Sequence, residues 1–164
     1  MHIASSLPPT YSVFPAHIGH GPFVVAMIDP DALTPQNPNI SQIRHFLGGN
    51  FFVDKQHNCL LVNTTPAITE YYGPHVPRVV VSDPHRWGAP FMSQLSLRNP
   101  PCLLLCSRYI FLLFKQPPHF NEQKEVTPGT DLPDRRYFNI SKFAADVGLG
   151  APIGGSFFYV GPHT

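Results

Sequence analysis

The chain has 164 residues, 43% of them hydrophobic and only 13% charged, with a formal net charge of +1. That length suits one domain with a core of its own, the composition excludes a disordered chain, and the near-zero charge excludes general nucleic-acid electrostatics. Thirteen Phe and 20 Pro point to short strands joined by rigid loops rather than to long helices.

Residues 1–22 read as loop, with Pro8, Pro9, Pro15, Gly19, Gly21 and Pro22. The first strand is Phe23–Ile28. Its unbroken apolar run needs cover on both faces, and Pro30, which lacks a ladder donor, stops it. Asp29 and Asp31 therefore sit at the carboxyl end of a buried strand. Two carboxylates there build either a site or an Asx-type turn that bonds nearby N–H groups. Leu33–Pro38 is a proline-bounded loop, and Ile40–Arg44 is expected to form one helical turn. His45-Phe46-Leu47 opens a second strand, broken or bulged at Gly48-Gly49 and resumed at Phe51-Phe52-Val53. Leu60–Thr65 is a short strand, Tyr71-Tyr72-Gly73-Pro74 a turn, and Val79-Val80-Val81 a short apolar run.

Tyr109–Phe114 is the strongest strand signal, ended by Lys115-Gln116-Pro117-Pro118. Residues 119–136 read as a surface loop. Asn139 can cap a helix over Ile140–Val147, where Ile140, Phe143, Ala144 and Val147 recur at helical spacing and Gly148 fits the stop. Gly154-Gly155 leads into a last strand, Ser156–Val160. The sum is a mostly antiparallel sheet with one or two short helices.

Cys59, Cys102 and Cys106 are odd in number and lack Cys-x-x-Cys spacing, so neither a disulfide framework nor a zinc site is supported. Residues 1–9 have no basic region and no long apolar core, so no signal peptide is expected. The longest apolar region, Cys102–Phe114, is interrupted by Arg108 and falls short of the about 20 residues of a membrane span. A cytoplasmic location is the expectation, with secretion open if residues precede this start. Asn39-Ile40-Ser41, Asn63-Thr64-Thr65 and Asn139-Ile140-Ser141 match the N-glycosylation pattern, and without an export signal are read as chance.

Three polar clusters lie beside apolar strands: Asp29 with Asp31, His45, and His85-Arg86 after Ser82-Asp83-Pro84. A lone His beside a strand is more often structural than functional. Together, two His, two Asp and an Arg could form an anion pocket, with imidazole and guanidinium donating to phosphate oxygens. Anion affinity would then rise as pH falls through about 6.5. A metal site ranks low, since no His-x-His or His-Glu-x-x-His spacing occurs. No Gly-x-Ser-x-Gly, P-loop or dinucleotide fingerprint appears, and no cofactor is indicated.

Asp29-Pro30-Asp31-Ala32, His45-Phe46-Leu47, Tyr72-Gly73-Pro74, His85-Arg86, Phe111–Pro117 and the terminal block Phe138–Phe158 occur in one order. That order and spacing resemble the phosphatidylethanolamine-binding protein family over residues 10–86 and 108–162. His45-Phe46-Leu47-Gly48-Gly49-Asn50-Phe51 and Gly154-Gly155-Ser156-Phe157-Phe158 are most similar to fungal members. The resemblance implies a mostly β fold: a large central antiparallel sheet flanked by a smaller sheet, with short helices near the C-terminus. It implies a non-catalytic binding module with a small anion pocket for a phosphate or phospholipid head group, and a monomer is expected. Relatives inhibit a serine carboxypeptidase or a signalling kinase. Carried over by motif position, the ligand-binding residues are Asp29, Asp31, His45, Gly73, Pro74 and His85.

The chain departs from the family pattern at Leu33 and Val76, where prolines are usual, and at a start that lacks one or more strands. The largest departure follows His85-Arg86. Deleting the 22 residues Trp87–Arg108, or equally Arg86–Ser107, restores a continuous His-Arg-Tyr-Ile-Phe-Leu-Leu-Phe text. Residues 1–164 are thus expected to be one N-terminally shortened domain with an insertion at 87–108, read as a translated intron in preference to a lineage-specific loop. Two other functions stay open: a hydrolase using Asp29 and Asp31 with His45 and His85 as acid and base, and a damaged, non-functional gene product.

Overall fold

A computed structural model describes residues 7–13, 18–32, 38–75, 106–126 and 135–161. Its organising strand is β2, Phe23–Asp29, whose seven residues are all buried. Alternation decides where each goes. Val24, Ala26 and Ile28 enter one apolar cluster and Phe23, Val25 and Met27 enter another on the opposite face. Each of the larger of these side chains contributes about 1.5–3 kcal/mol by leaving water.

Around it the described residues form one antiparallel sheet. Its strands are β1 (Tyr11–Ser12), β3 (Ile43–Asp54), β4 (Leu60–Asn63), β5 (Ser107–Lys115) and β6 (Gly154–Val160), in the spatial order β1-β4-β3-β2-β5-β6. The expected mostly β fold with a central antiparallel sheet is borne out. The smaller flanking sheet is not formed among the described residues.

Strand β3 is longer than the sequence pattern suggests and carries two bulges against β2. Phe23 faces Phe51 while Val25 faces Gly48, which puts the extra residue at the expected Gly48-Gly49 irregularity. Met27 faces Phe46 while Ile28 faces Arg44, so His45 is the extra residue of a second bulge. Bulges re-aim a side chain locally, and this one re-aims the imidazole. The expected helical turn over Ile40–Arg44 is not found, because Ile43 already pairs with Asp29 and extends β3.

One face of the sheet is covered by helix α1, Ile140–Asp146. Asn139 caps it, its side chain accepting the Lys142 N–H at 2.9 Å. The chain leaves it at Gly148, whose φ of 70° suits glycine. Ile140, Phe143, Ala144, Val147 and Leu149 bury against the β2 face of Val24, Ala26 and Ile28. The loop expected over 119–136 is less superficial than its polarity suggested. Phe120 and Val126 join this cluster from two 3-10 turns, Phe120–Glu122 and Lys124–Val126, and Arg135 is buried.

Strand β6 lies along one edge, paired to β5 from Ser107↔Val160 to Leu113↔Gly154. Gly155 is required there: a Cβ would stand 2.7 Å from the Phe111 carbonyl oxygen. Cys59 is free and Cys106 is disulfide-bonded, a pairing that the odd cysteine count did not suggest. Ser107 and Arg108, the last residues of the expected insertion, are part of β5. Its residues 87–105, with the Val79–Val81 run, lie outside the described residues.

Candidate functional site

Strand β2 delivers Asp29 to the rim of the sheet, and Pro30 turns the chain. The Asp31 N–H then donates to Asp29 Oδ1 at 2.8 Å, which is the Asx-type turn that the spacing allowed. Asp29 is only 3% exposed. Burial, helped by the Asp31 charge, pushes its carboxyl up to about 6, against the pull of the Asp31 N–H, the Tyr109 hydroxyl and the Arg108 charge.

Asp31 has a different fate. Arg108 donates to it from Nε at 2.7 Å and from Nη2 at 2.8 Å. The Arg108 backbone N–H adds a third bond at 2.9 Å. Burial alone would raise the Asp31 carboxyl, but these donors hold it below the usual carboxylate range. A bidentate guanidinium pair is geometrically specific as well as strong. Asp31 therefore ties the turn after β2 to the start of β5 and does not stand open with Asp29.

Next along β5, Tyr109 is fully buried. Its hydroxyl neighbours the Asp29 carboxylate and accepts the His75 N–H at 3.0 Å. Burial and the neighbouring Asp29 charge raise the phenol. Its ring meets His45 edge-on, centroids 5.0 Å apart, and stacks on Phe158 of β6 at 5.4 Å.

His45 is 2% exposed. Its Nδ1 lies 2.8 Å from the Tyr72 carbonyl oxygen, which can only accept, so Nδ1 carries the proton. Its Nε2 is buried with no hydrogen-bond partner among the described residues. Burial pushes the imidazole down to about 4. The backbone of Tyr72 and Gly73 favours the cation less strongly than burial opposes it, and Arg135 and His75 add repulsion. The imidazole thus titrates well below the 6.5 of an unburied ring, contrary to the expectation from sequence.

The structure brings four of the six expected residues to one place. Asp29 and His45 meet through Tyr109. Gly73 lies at the imidazole, and the buried Pro74 precedes the His75 N–H bound by Tyr109. Asp31 is adjacent but occupied by Arg108. His85 lies outside the described residues. Three residues the sequence reading left out also contribute: Tyr109, Arg108 and Arg135. A polar hydroxyl inside the strongest apolar strand was the available signal for Tyr109, since a buried Tyr O–H needs a partner. Among the described residues no group of three or more His, Cys, Asp or Glu could hold a metal ion, and no helix is long and apolar enough to cross a membrane.

Two grooves lie elsewhere. One, of about 630 Å³, lies between β5, α1 and the Gly148–Pro152 loop. The other, of about 390 Å³, lies among Tyr11, Ile18, Phe111 and Gly154. Neither is lined by an acid, a basic side chain or an imidazole.

No family model matches the chain. It is 26% identical over 136 residues to Protein TERMINAL FLOWER 1 of Arabidopsis thaliana, covering 83% of this chain and 56% of that protein. The chain therefore spans about half the length of the curated relative it matches. Among solved structures, it superposes on a carboxypeptidase Y inhibitor complexed with its cognate proteinase with a TM-score of 0.55 and 19% identity, covering 90% of this chain and 64% of that one. It superposes on a phosphatidylethanolamine-binding protein from Plasmodium vivax with a TM-score of 0.53 and 14% identity, covering 86% and 64%. The resemblance carried by the motifs is borne out, and the chain has the fold of the phosphatidylethanolamine-binding proteins.

Proposed function

We propose that the chain is a non-catalytic binding module that takes a phosphate, free or on a phospholipid head group, at His45, Asp29, Gly73 and Pro74. The observation that carries this reading is the imidazole: one nitrogen is fixed by a carbonyl, while the other is buried without a partner among the described residues. An unsatisfied buried polar atom costs about 1–3 kcal/mol, and a ligand oxygen would remove that cost. His85, by motif position, is the proposed second imidazole of the site.

With Nδ1 protonated, neutral His45 offers only a lone pair at Nε2. A phosphate therefore binds either with its own P–OH aimed at Nε2 or after Nε2 takes up a proton. Asp29, when ionised, repels the anion. Each route takes up a proton, so affinity should rise as pH falls through about 6 and below. An NMR titration with inorganic phosphate and with phosphoethanolamine between pH 5 and 8 tests this. Saturable shifts at His45, tightening toward pH 5, are expected. No shift at His45, or an affinity independent of pH, would sink the proposal.

The alternative of a hydrolase needs two available carboxylates. Both Asp31 oxygens are held by Arg108, which disfavours that role. Inhibition of a serine carboxypeptidase or of a kinase is the proposed consequence of the module's surface, and binding assays with either partner class would test it.

A further inference from the structure

Arg135 is a charged side chain only 6% exposed, outside the turn and the ligand-facing groups described above. Its Nη1 donates to the Glu70 carbonyl at 2.8 Å and makes a longer contact of 3.5 Å to the His45 carbonyl. Its guanidinium also sits over the Tyr72 ring, 5.8 Å from the centroid. It thus grips the 70–73 segment by both backbone and ring and reaches β3 as well.

That segment controls the imidazole. The Tyr72 N–H donates to the His45 carbonyl at 2.9 Å, and the Tyr72 carbonyl receives His45 Nδ1 at 2.8 Å. If Tyr72 drifts, the Nδ1 proton loses its acceptor and the ring is free to carry its proton on Nε2 instead. Lysine would keep a donor for the Glu70 carbonyl but lose the planar guanidinium that sits over the Tyr72 ring.

We infer that Arg135 is a positioning residue: it clamps the Glu70–Gly73 segment onto β3 and thereby holds His45 in the tautomer that leaves Nε2 free for a ligand. This rests on the proposed phosphate pocket for its functional meaning, but not for its test. The tautomer is read without ligand, from imidazole ¹⁵N shifts of the full chain, with the His45 signals assigned by their loss in His45→Gln.

In the parent, His45 should be a single Nδ1–H tautomer. In Arg135→Lys and Arg135→Gln the two tautomers should mix, and phosphate affinity should fall on the order of tenfold, the scale of one hydrogen bond. Should the Arg135 variants fail to fold, Tyr72→Leu decides, since Tyr72 is 41% exposed and its ring is one of the two surfaces that Arg135 grips. Partial mixing is expected there. An unchanged tautomer in the folded Arg135 variants, or in Tyr72→Leu where those do not fold, overturns the clamp. Mixed tautomers in a chain whose parent form binds no phosphate would uphold the clamp and remove the pocket instead.

Discussion

Asp29→Asn removes one charge from the buried end of β2 while keeping an oxygen for the Asp31 N–H. In the folded chain Asp29 titrates at about 6, against an ordinary 3.8. Between those values the folded state holds a proton that the unfolded state has released, so stability falls as pH rises. Well below pH 3.8 both states carry the proton and the cost of burying the Asp29 charge vanishes. Above about 6 the full cost applies. A gap of about 2 in pH, at 1.36 kcal/mol each, amounts to about 3 kcal/mol. The opposing pulls of Tyr109 and of the Asp31 N–H are already contained in that shift, so this is a net figure.

Asparagine behaves as a permanently uncharged Asp29. The variant should therefore match the parent near pH 4 and exceed it by about 3 kcal/mol at pH 8, with the gap opening between 4 and 6. Urea unfolding of both proteins at half-unit steps from pH 4 to 8 measures it, and other titrating groups cancel in the difference. A gap that does not change with pH, or a parent more stable at pH 8, would show that hydrogen bonding outweighs burial at this carboxylate.

Arg108→Ala should cost about 1.5–3 kcal/mol, the scale of hydrogen bonds to a charged group and below that for breaking a fully buried pair, because Arg108 itself is half exposed. Arg108→Lys should recover only part of it, as read by urea midpoints, and a loss under about 0.5 kcal/mol for the alanine would mean that the pair does not hold the turn to β5. Gly155→Ala should cost about 1–3 kcal/mol, because the added carbon meets the Phe111 carbonyl; faster amide exchange along β6 would report it, and unchanged exchange would contradict the close approach. Removing the 22 residues leaves one arginine before Tyr109 in either frame, so the Asp31 pair should survive and the melting temperature should rise. A lower melting temperature would mean that the removed residues pack as part of the domain.

Periodicity and punctuation carried much of the architecture. The run Phe23–Ile28 is buried on both faces because nothing polar interrupts it, and Pro30 ends it for want of an N–H. Gly48-Gly49 marked a bulge, and Asn139 with Gly148 bracketed a helix, since cap and stop chemistry are local. The motif order also pointed to the fold that the comparisons support. What the sequence could not decide was pairing across distance. Asp29 and Asp31 look equivalent in the chain, yet one is left buried with its carboxyl pushed up to about 6 while the other is claimed by Arg108, 77 positions away. The bulge that aims His45 depends on the register between β2 and β3, and its low imidazole pKa depends on burial by Tyr72 and Tyr109. Arg135 read as part of a polar loop, because only the folded chain brings the Glu70 and His45 carbonyls within its reach. Local patterns encode strands and turns, whereas charge state and tautomer follow from which distant groups exclude water together.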